Sequence, residues 1–153
     1  GGAIYNNGTL GTVSGEFSGN RVVTTITDAS VKGGGAIYSE GNIGSITADF
    51  RNNSVIGIGA NGASGGAILL SGNYNNRITV NNIGNSSSQV MFSGNKSDFT
   101  GGAITVTSAE INNIYADFYD NAVEINRADG PSGYGGALEI TNSEIKTNEK
   151  EKI

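Results

Sequence analysis

The residues best suited to chemistry in this chain are carboxylates, arginines and glycine-rich turns, because histidine, cysteine and tryptophan are absent from its 153 positions. Without His there is no ready general base at neutral pH and no imidazole metal ligand. Without Cys there is no thiolate nucleophile, zinc site or disulfide. The stretch Gly57-Ile58-Gly59-Ala60-Asn61-Gly62 fits the G-x-G-x-x-G pattern, but a dinucleotide site needs that pattern to open a helix, with an acidic residue about 20 positions on. A Gly-Gly-Ala-Ile string follows instead, so no nucleotide cofactor is expected. Gly94-Asn95-Lys96-Ser97 has the wrong spacing, and no Gly-Lys pair, for a phosphate loop.

Acid-base chemistry on polysaccharides needs convergent carboxylates, or a calcium site with a positioned arginine. Glu16, Asp49 and Asp117 each precede a phenylalanine, but Met91 interrupts the series, and Arg21, Arg51, Arg77 and Arg127 occupy unlike places. A solvated acidic stripe is expected, drawing a Lys, an Arg or a weakly held cation against its own repulsion, with no catalytic, cofactor or metal site. Nine Lys and Arg against fourteen Asp and Glu leave a net charge of −5, which cannot form the positive stripe that nucleic acid requires. No stretch approaches the roughly 20 apolar residues of a membrane-crossing helix, and no signal peptide is visible, so the chain reads as mature or as a piece of a longer one.

These residues are positioned by a repeat. Gly1-Gly2-Ala3-Ile4 returns as Gly34-Gly35-Ala36-Ile37, Gly65-Gly66-Ala67-Ile68, Gly101-Gly102-Ala103-Ile104 and Gly135-Gly136-Ala137-Leu138, in steps of 31 to 36 residues. A Phe-x-x-Asn string follows the first four: Phe17/Asn20, Phe50/Asn53, Phe92/Asn95 and Phe118/Asn121. Two registered motifs in a period of this length point to a solenoid of short strands and turns. The expected fold is all-β, a right-handed parallel β-helix of the pectin-lyase-like kind, with about four to five coils rising ~4.8 Å each.

Side chains alternate across a strand, which predicts three strands per coil. In the first, Ile4, Ile37, Ile68, Ile104 and Leu138 point inward with Asn6, Ser39, Leu70, Val106 and Ile140, while Tyr5, Tyr38, Leu69, Thr105 and Glu139 face solvent. In the second, the Phe column is joined by Gly15, Ala48, Val90 and Ala116, and then by Val13, Ile46, Ser88 and Ile114. Residues 22–26, 54–56 and 122–125 supply the third. The Asn of each Phe-x-x-Asn should bend the chain and form an internal amide ladder. Gly-Gly should mark a corner that needs positive φ or has no room for Cβ.

The third copy departs, with 27 residues from Gly65 to Phe92 where the first copy has 16. Residues 73–82 are expected to leave the coil as a loop or hairpin, and the strand after Asn95 to be trimmed. The helix is assigned to residues 1–143 and a charged tail or linker to 144–153. The first residue already lies in a repeat, so further coils or another chain are expected to cover the open edge. Tyr5, Tyr38, Tyr74 and Arg77 are the candidate partner-binding residues, since Tyr can stack on sugars or protein.

The paired Gly-Gly-Ala-Ile and Phe-x-x-Asn motifs resemble those of polymorphic outer-membrane proteins and related autotransporter adhesins, over residues 1 to about 142. The resemblance implies a passenger exported through a bacterial outer membrane by a C-terminal barrel, with roles in attachment and self-association. The chain departs from chlamydial members in lacking Cys, and it contains no barrel. The expected function is non-catalytic adhesion or display outside the cell, toward a protein or glycan of a host or sister cell. No nucleic acid and no membrane insertion of this segment are expected. A self-stacking fibre subunit and a fragment of a carbohydrate-active enzyme are the alternatives.

Overall fold

The computed structural model describes residues 1–24, 33–57, 63–124 and 133–146. Within them the chain winds as a parallel β-solenoid of about four turns, with no helix. The first turn holds β1 (Ile4–Asn6), β2 (Thr9–Val13), β3 (Glu16–Ser18) and β4 (Arg21–Thr24). The second holds β5 (Ile37–Ser39), β6 (Asn42–Ile46), β7 (Asp49–Arg51) and β8 (Ser54–Gly57). The third holds β9 (Ile68–Ser71), β10 (Ile78–Ile83), β11 (Val90–Ser93) and β12 (Lys96–Ser97). The fourth holds β13 (Ile104–Thr107), β14 (Ala109–Ile114), β15 (Ala116–Tyr119) and β16 (Ala122–Val123), and β17 (Leu138–Thr141) and β18 (Glu144–Ile145) continue the stack.

Every ladder is parallel and joins like strands of neighbouring turns, making four sheets. Four replace the expected three because the Phe strand divides: Gly15 has φ +100, and the chain bends between Val13 and Glu16. The part before the bend pairs in the second sheet and the Phe part in the third. Residues 25–26 and 125, assigned to the last strand from sequence, lie outside the described residues, as do residues 58–62 of the G-x-G-x-x-G stretch, Arg127 and residues 147–153.

The repeats stack in register. Ile4, Ile37, Ile68, Ile104 and Leu138 form one inward column, and Phe17, Phe50, Phe92 and Phe118 another. The four rings lie nearly parallel, with centroids 5.2, 4.9 and 5.2 Å apart. Phe50 and Phe92 are fully buried, each contributing roughly 1.5–3 kcal/mol of hydrophobic stabilisation. The column expected to contain Ser88 contains Ile83 instead, between Ile46 and Ile114.

That substitution comes from the third copy. Residues 78–82 stay in the coil as part of β10, paired to β6 and β14. The surplus leaves as two tight turns, closed by Asn73 paired with Asn76 and by Asn85 paired with Ser88. In both, the first Asn caps its own turn: Asn73 Oδ1 accepts from the amides of Asn75 and Asn76, and Asn85 Oδ1 from that of Ser87. The strand after Asn95 is trimmed to two residues, as expected. The tail begins later than residue 144, because Glu144 and Ile145 pair with Glu110 and Ile111. Those two residues continue the second sheet despite the charge of Glu144, since their register is set by the rung beneath.

The two glycines of each motif meet different demands. The first has positive φ at Gly34, Gly65, Gly101 and Gly135, +58 to +80, where a side chain is strained. The second has no room: a Cβ on Gly35, Gly66 or Gly102 would run into the carbonyl oxygen of the same glycine one turn on. Gly101→Val should therefore cost more than the roughly 1–3 kcal/mol of a strained backbone alone, since its Cβ also meets the Ile104 carbonyl. Gly11→Val, in open space on the second sheet, should be near neutral. Urea melts of the two variants test this, and equal midpoints would reject the corner role.

Candidate interaction surface

The interior is closed by an amide ladder that fixes where the outer surface can vary. Asn20, Asn53 and Asn95 each donate from Nδ2 to the Oδ1 of the next Asn in the series, ending on Asn121, at 2.9 Å per step. The backbone amide of each donor residue reaches the same oxygen at 3.0 Å. The second Nδ2 hydrogen of Asn53, Asn95 and Asn121 goes back to the carbonyl of Phe17, Phe50 and Phe92 respectively. Asn53 and Asn95 are fully buried with both ends of the amide engaged, the condition under which a polar interior stabilises.

The four candidate residues do not form one site. Tyr74, 86% exposed, and Arg77 share the first excursion of the third copy. Tyr5 lies on the first sheet, 56% exposed, with its hydroxyl donating to Glu40 at 2.6 Å. Tyr38 is 6% exposed rather than solvent-facing, stacked on Tyr5 at 5.2 Å. Leu69 and Thr105, in the same outward column, are buried too. Alternation gave the face correctly but not its cover. For Thr105 the cover comes from Thr100, just before the Gly-Gly corner, whose carbonyl accepts from Thr105 Oγ1 at 3.0 Å.

Sequence reasoning passed over Tyr119 and Tyr134, 71% and 60% exposed. Tyr119 was legible, because the residue after each Phe must point outward as Ser18, Arg51 and Ser93 do. Tyr134 sits beside Thr100 just before a Gly-Gly corner, where no alternation applies.

The acidic stripe draws in an arginine. Arg51 reaches Asp49 at 2.8 Å and Glu16 at 3.9 Å, and its other nitrogen lies 3.2 Å from Met91 Sδ. The other Asp49 oxygen accepts the Met91 amide at 2.8 Å, so the residue that breaks the stripe in sequence is tied to it by backbone. Among the described residues, no three carboxylates converge as a metal cluster.

Beside β12 lies a cavity of about 240 Å³ lined by Ser54, Val55, Ile56, Lys96, Ser97, Asp98 and Glu124. Lys96 and Glu124 pair across its rim at 2.6 Å. Buried Asp98 stands in for the missing rung, its carboxylate accepting the amides of Gly57 at 2.8 Å and Ala63 at 2.7 Å.

Electrostatics elsewhere are local. Glu110 and Glu144 are partners in the second sheet, and Lys146 closes on Glu110 at 2.7 Å. The hydrogen bond and charge of Lys146 hold the Glu110 carboxyl below its ordinary value. A depressed carboxyl contributes stability above its unfolded pKa and loses it as pH falls through the folded one. Carboxyl titration by NMR should place Glu110 below a normal glutamate, and Lys146→Met should return it there. An unchanged curve would show that the pair does not persist in solution.

The ladder gives a sharper expectation. Asn95→Ala removes the donor to the Phe50 carbonyl and the acceptor of the Asn53 backbone amide and of one Asn53 Nδ2 hydrogen, and each unsatisfied buried group costs about 1–3 kcal/mol. A total loss of at least about 3 kcal/mol is expected, against about 1 for Asn20→Ala in the half-buried first turn. Equal losses in chemical denaturation would reject the ladder as a source of cohesion.

No curated protein and no solved structure matches this chain. One family model does, that of the Chlamydia polymorphic membrane protein (Chlamydia_PMP) repeat, over residues 14–40. The match contains Phe17, Asn20 and the Gly34-Gly35-Ala36-Ile37 string, so the chain is similar to a polymorphic outer-membrane protein repeat through the residues that form its stacked interior.

Proposed function

We propose that this chain is a non-catalytic segment of a bacterial cell-surface protein, a stack of coils that displays turns for adhesion to a protein or glycan of a host or sister cell. The observation that carries the reading joins sequence to geometry. The match covers one repeat, and the Phe column of that repeat recurs in register in the next three turns. What applies to residues 14–40 as a rung therefore extends to the other coils as structure.

The division of labour between faces supports the same reading. The inward Phe and Asn columns repeat the same residue from turn to turn. Outward positions change freely, as in Ser18, Arg51, Ser93 and Tyr119 on the third sheet. Such a scaffold can carry different surfaces without altering its core. Tyr74, 86% exposed, and exposed Arg77 lie together where a partner can reach them, and Tyr and Arg are enriched among residues that dominate interface energies.

Beads coated with the monomeric chain should bind cultured epithelial cells or bacterial cells severalfold above albumin-coated beads. The Tyr74→Ala, Arg77→Ala double variant should lose most of that excess while melting as the parent does. No excess on either cell type would overturn the reading. Concentration-dependent rods in negative stain would replace it with a fibre subunit, and cleavage of polygalacturonate would replace it with an enzyme fragment.

A further inference from the structure

Four tripeptides in the chain read Asn-x-Ser or Asn-x-Thr: Asn7-Gly8-Thr9, Asn52-Asn53-Ser54, Asn85-Ser86-Ser87 and Asn95-Lys96-Ser97. This pattern is the acceptor for N-linked glycosylation. A folded chain offers it only where the asparagine is accessible and the tripeptide can turn its third-residue hydroxyl onto the amide. One of the four asparagines is buried, and the three exposed ones differ in what their tripeptides are bound to.

Asn95 is fully buried in the ladder, with Nδ2 committed to Phe50 and Asn121 and the Ser97 hydroxyl committed to the Thr100 carbonyl at 2.9 Å. Asn52 is exposed, but its tripeptide is locked in a corner, since Asn53 is fully buried and the Ser54 amide is held by the Asn20 carbonyl at 2.9 Å. Asn7 is exposed, but its Thr9 already belongs to β2, and the Gly8 amide is taken by Asn6 Oδ1 at 3.0 Å.

Asn85 meets both conditions. Residues 85–88 are all exposed. The Ser87 hydroxyl donates to Asn85 Oδ1 at 2.8 Å, and the Ser87 amide donates to the same oxygen at 3.0 Å. Among the described residues, none engages Asn85 Nδ2. Two donors on Oδ1 stabilise the negative charge that gathers there as Nδ2 gives up a proton, which makes an otherwise unreactive amide nitrogen a nucleophile.

We propose that Asn85 is an acceptor for N-linked glycosylation by a transferase that uses a nucleoside-diphosphate hexose. Nδ2 attacks the anomeric carbon and forms the C1–N bond. The bond from that carbon to the phosphate oxygen breaks, its electron pair leaves with the nucleoside diphosphate, and the Nδ2 proton passes to a base of the transferase. The turn adds to the coil without altering it, so a sugar there lies outside every ladder.

The purified folded chain, incubated with a soluble asparagine-specific glucosyltransferase and UDP-glucose, tests this by peptide-resolved mass spectrometry. One hexose should appear on the peptide carrying Asn85, about tenfold faster than on Asn7 or Asn52, equivalent to about 1.4 kcal/mol in barrier height. Asn95 should stay unmodified until the chain is denatured. Asn85→Gln and Ser87→Ala should abolish the signal, and Ser87→Thr should keep it. An unmodified Asn85 in the folded chain, or an equal or faster rate at Asn7 or Asn52, overturns the proposal.

Discussion

Parallel ladders hold successive turns of the chain about 4.8 Å apart, and that spacing decides what the interior accepts. Every inward side chain must pack on its counterpart above and below. A flat ring can do so, and the Phe column does it at 4.9–5.2 Å. An amide can do so as well, because it both donates and accepts. Asp in the Asn positions would stack like charges one rung apart, and Leu would leave the corner carbonyls of Phe17, Phe50 and Phe92 without donors. The second glycine of each motif follows from the same spacing, since the neighbouring turn occupies the volume a Cβ would need.

Register is the quantity the stack protects. A slip of one residue in any rung would exchange its inward and outward faces. Length differences between copies must therefore leave at corners, and the third copy shows how. Its surplus exits before and after β10, as two turns each capped by their own first asparagine. Its deficit falls on β12, where the Asp98 carboxylate takes over the amides of Gly57 and Ala63. The added turns cost little, since loop closure depends weakly on length.

The sequence carries the interior almost completely. Phe, Asn and Gly-Gly recur because each has one geometric answer, and parallel pairing, the amide ladder, the positive φ of the first glycine and the trimmed β12 all follow from them. The fourth sheet is less visible, because the bend near Gly15 is made by different residues in each copy and leaves alternation undisturbed. The assignment of residues 73–82 to one loop failed for a related reason. Asn-rich strands such as β10 resemble turns in composition, and their strand character comes from the β6 and β14 rungs on either side. Tyr38 shows the remaining limit. Parity says which face a residue takes, but not what covers it, as the stacking of Tyr5 on Tyr38 and the contact of Thr100 with Thr105 show.

A surface that must vary over a core that cannot is built from the parts of the coil outside the ladder. In this chain the two turns that flank β10 are such parts, and they carry Tyr74, an exposed arginine neighbour and the exposed tripeptide Asn85-Ser86-Ser87. Between them the second sheet presents a polar row, Thr12, Ser45, Asn82 and Asn113, with Asn113 donating to Asn82 at 2.9 Å. Neither turn lends a side chain to the Phe or Asn column, so changes in them alter what the rod shows without loosening it. The third copy is irregular in sequence because its two extra turns lie outside the ladders and are free of the stacking constraint that fixes the inward columns.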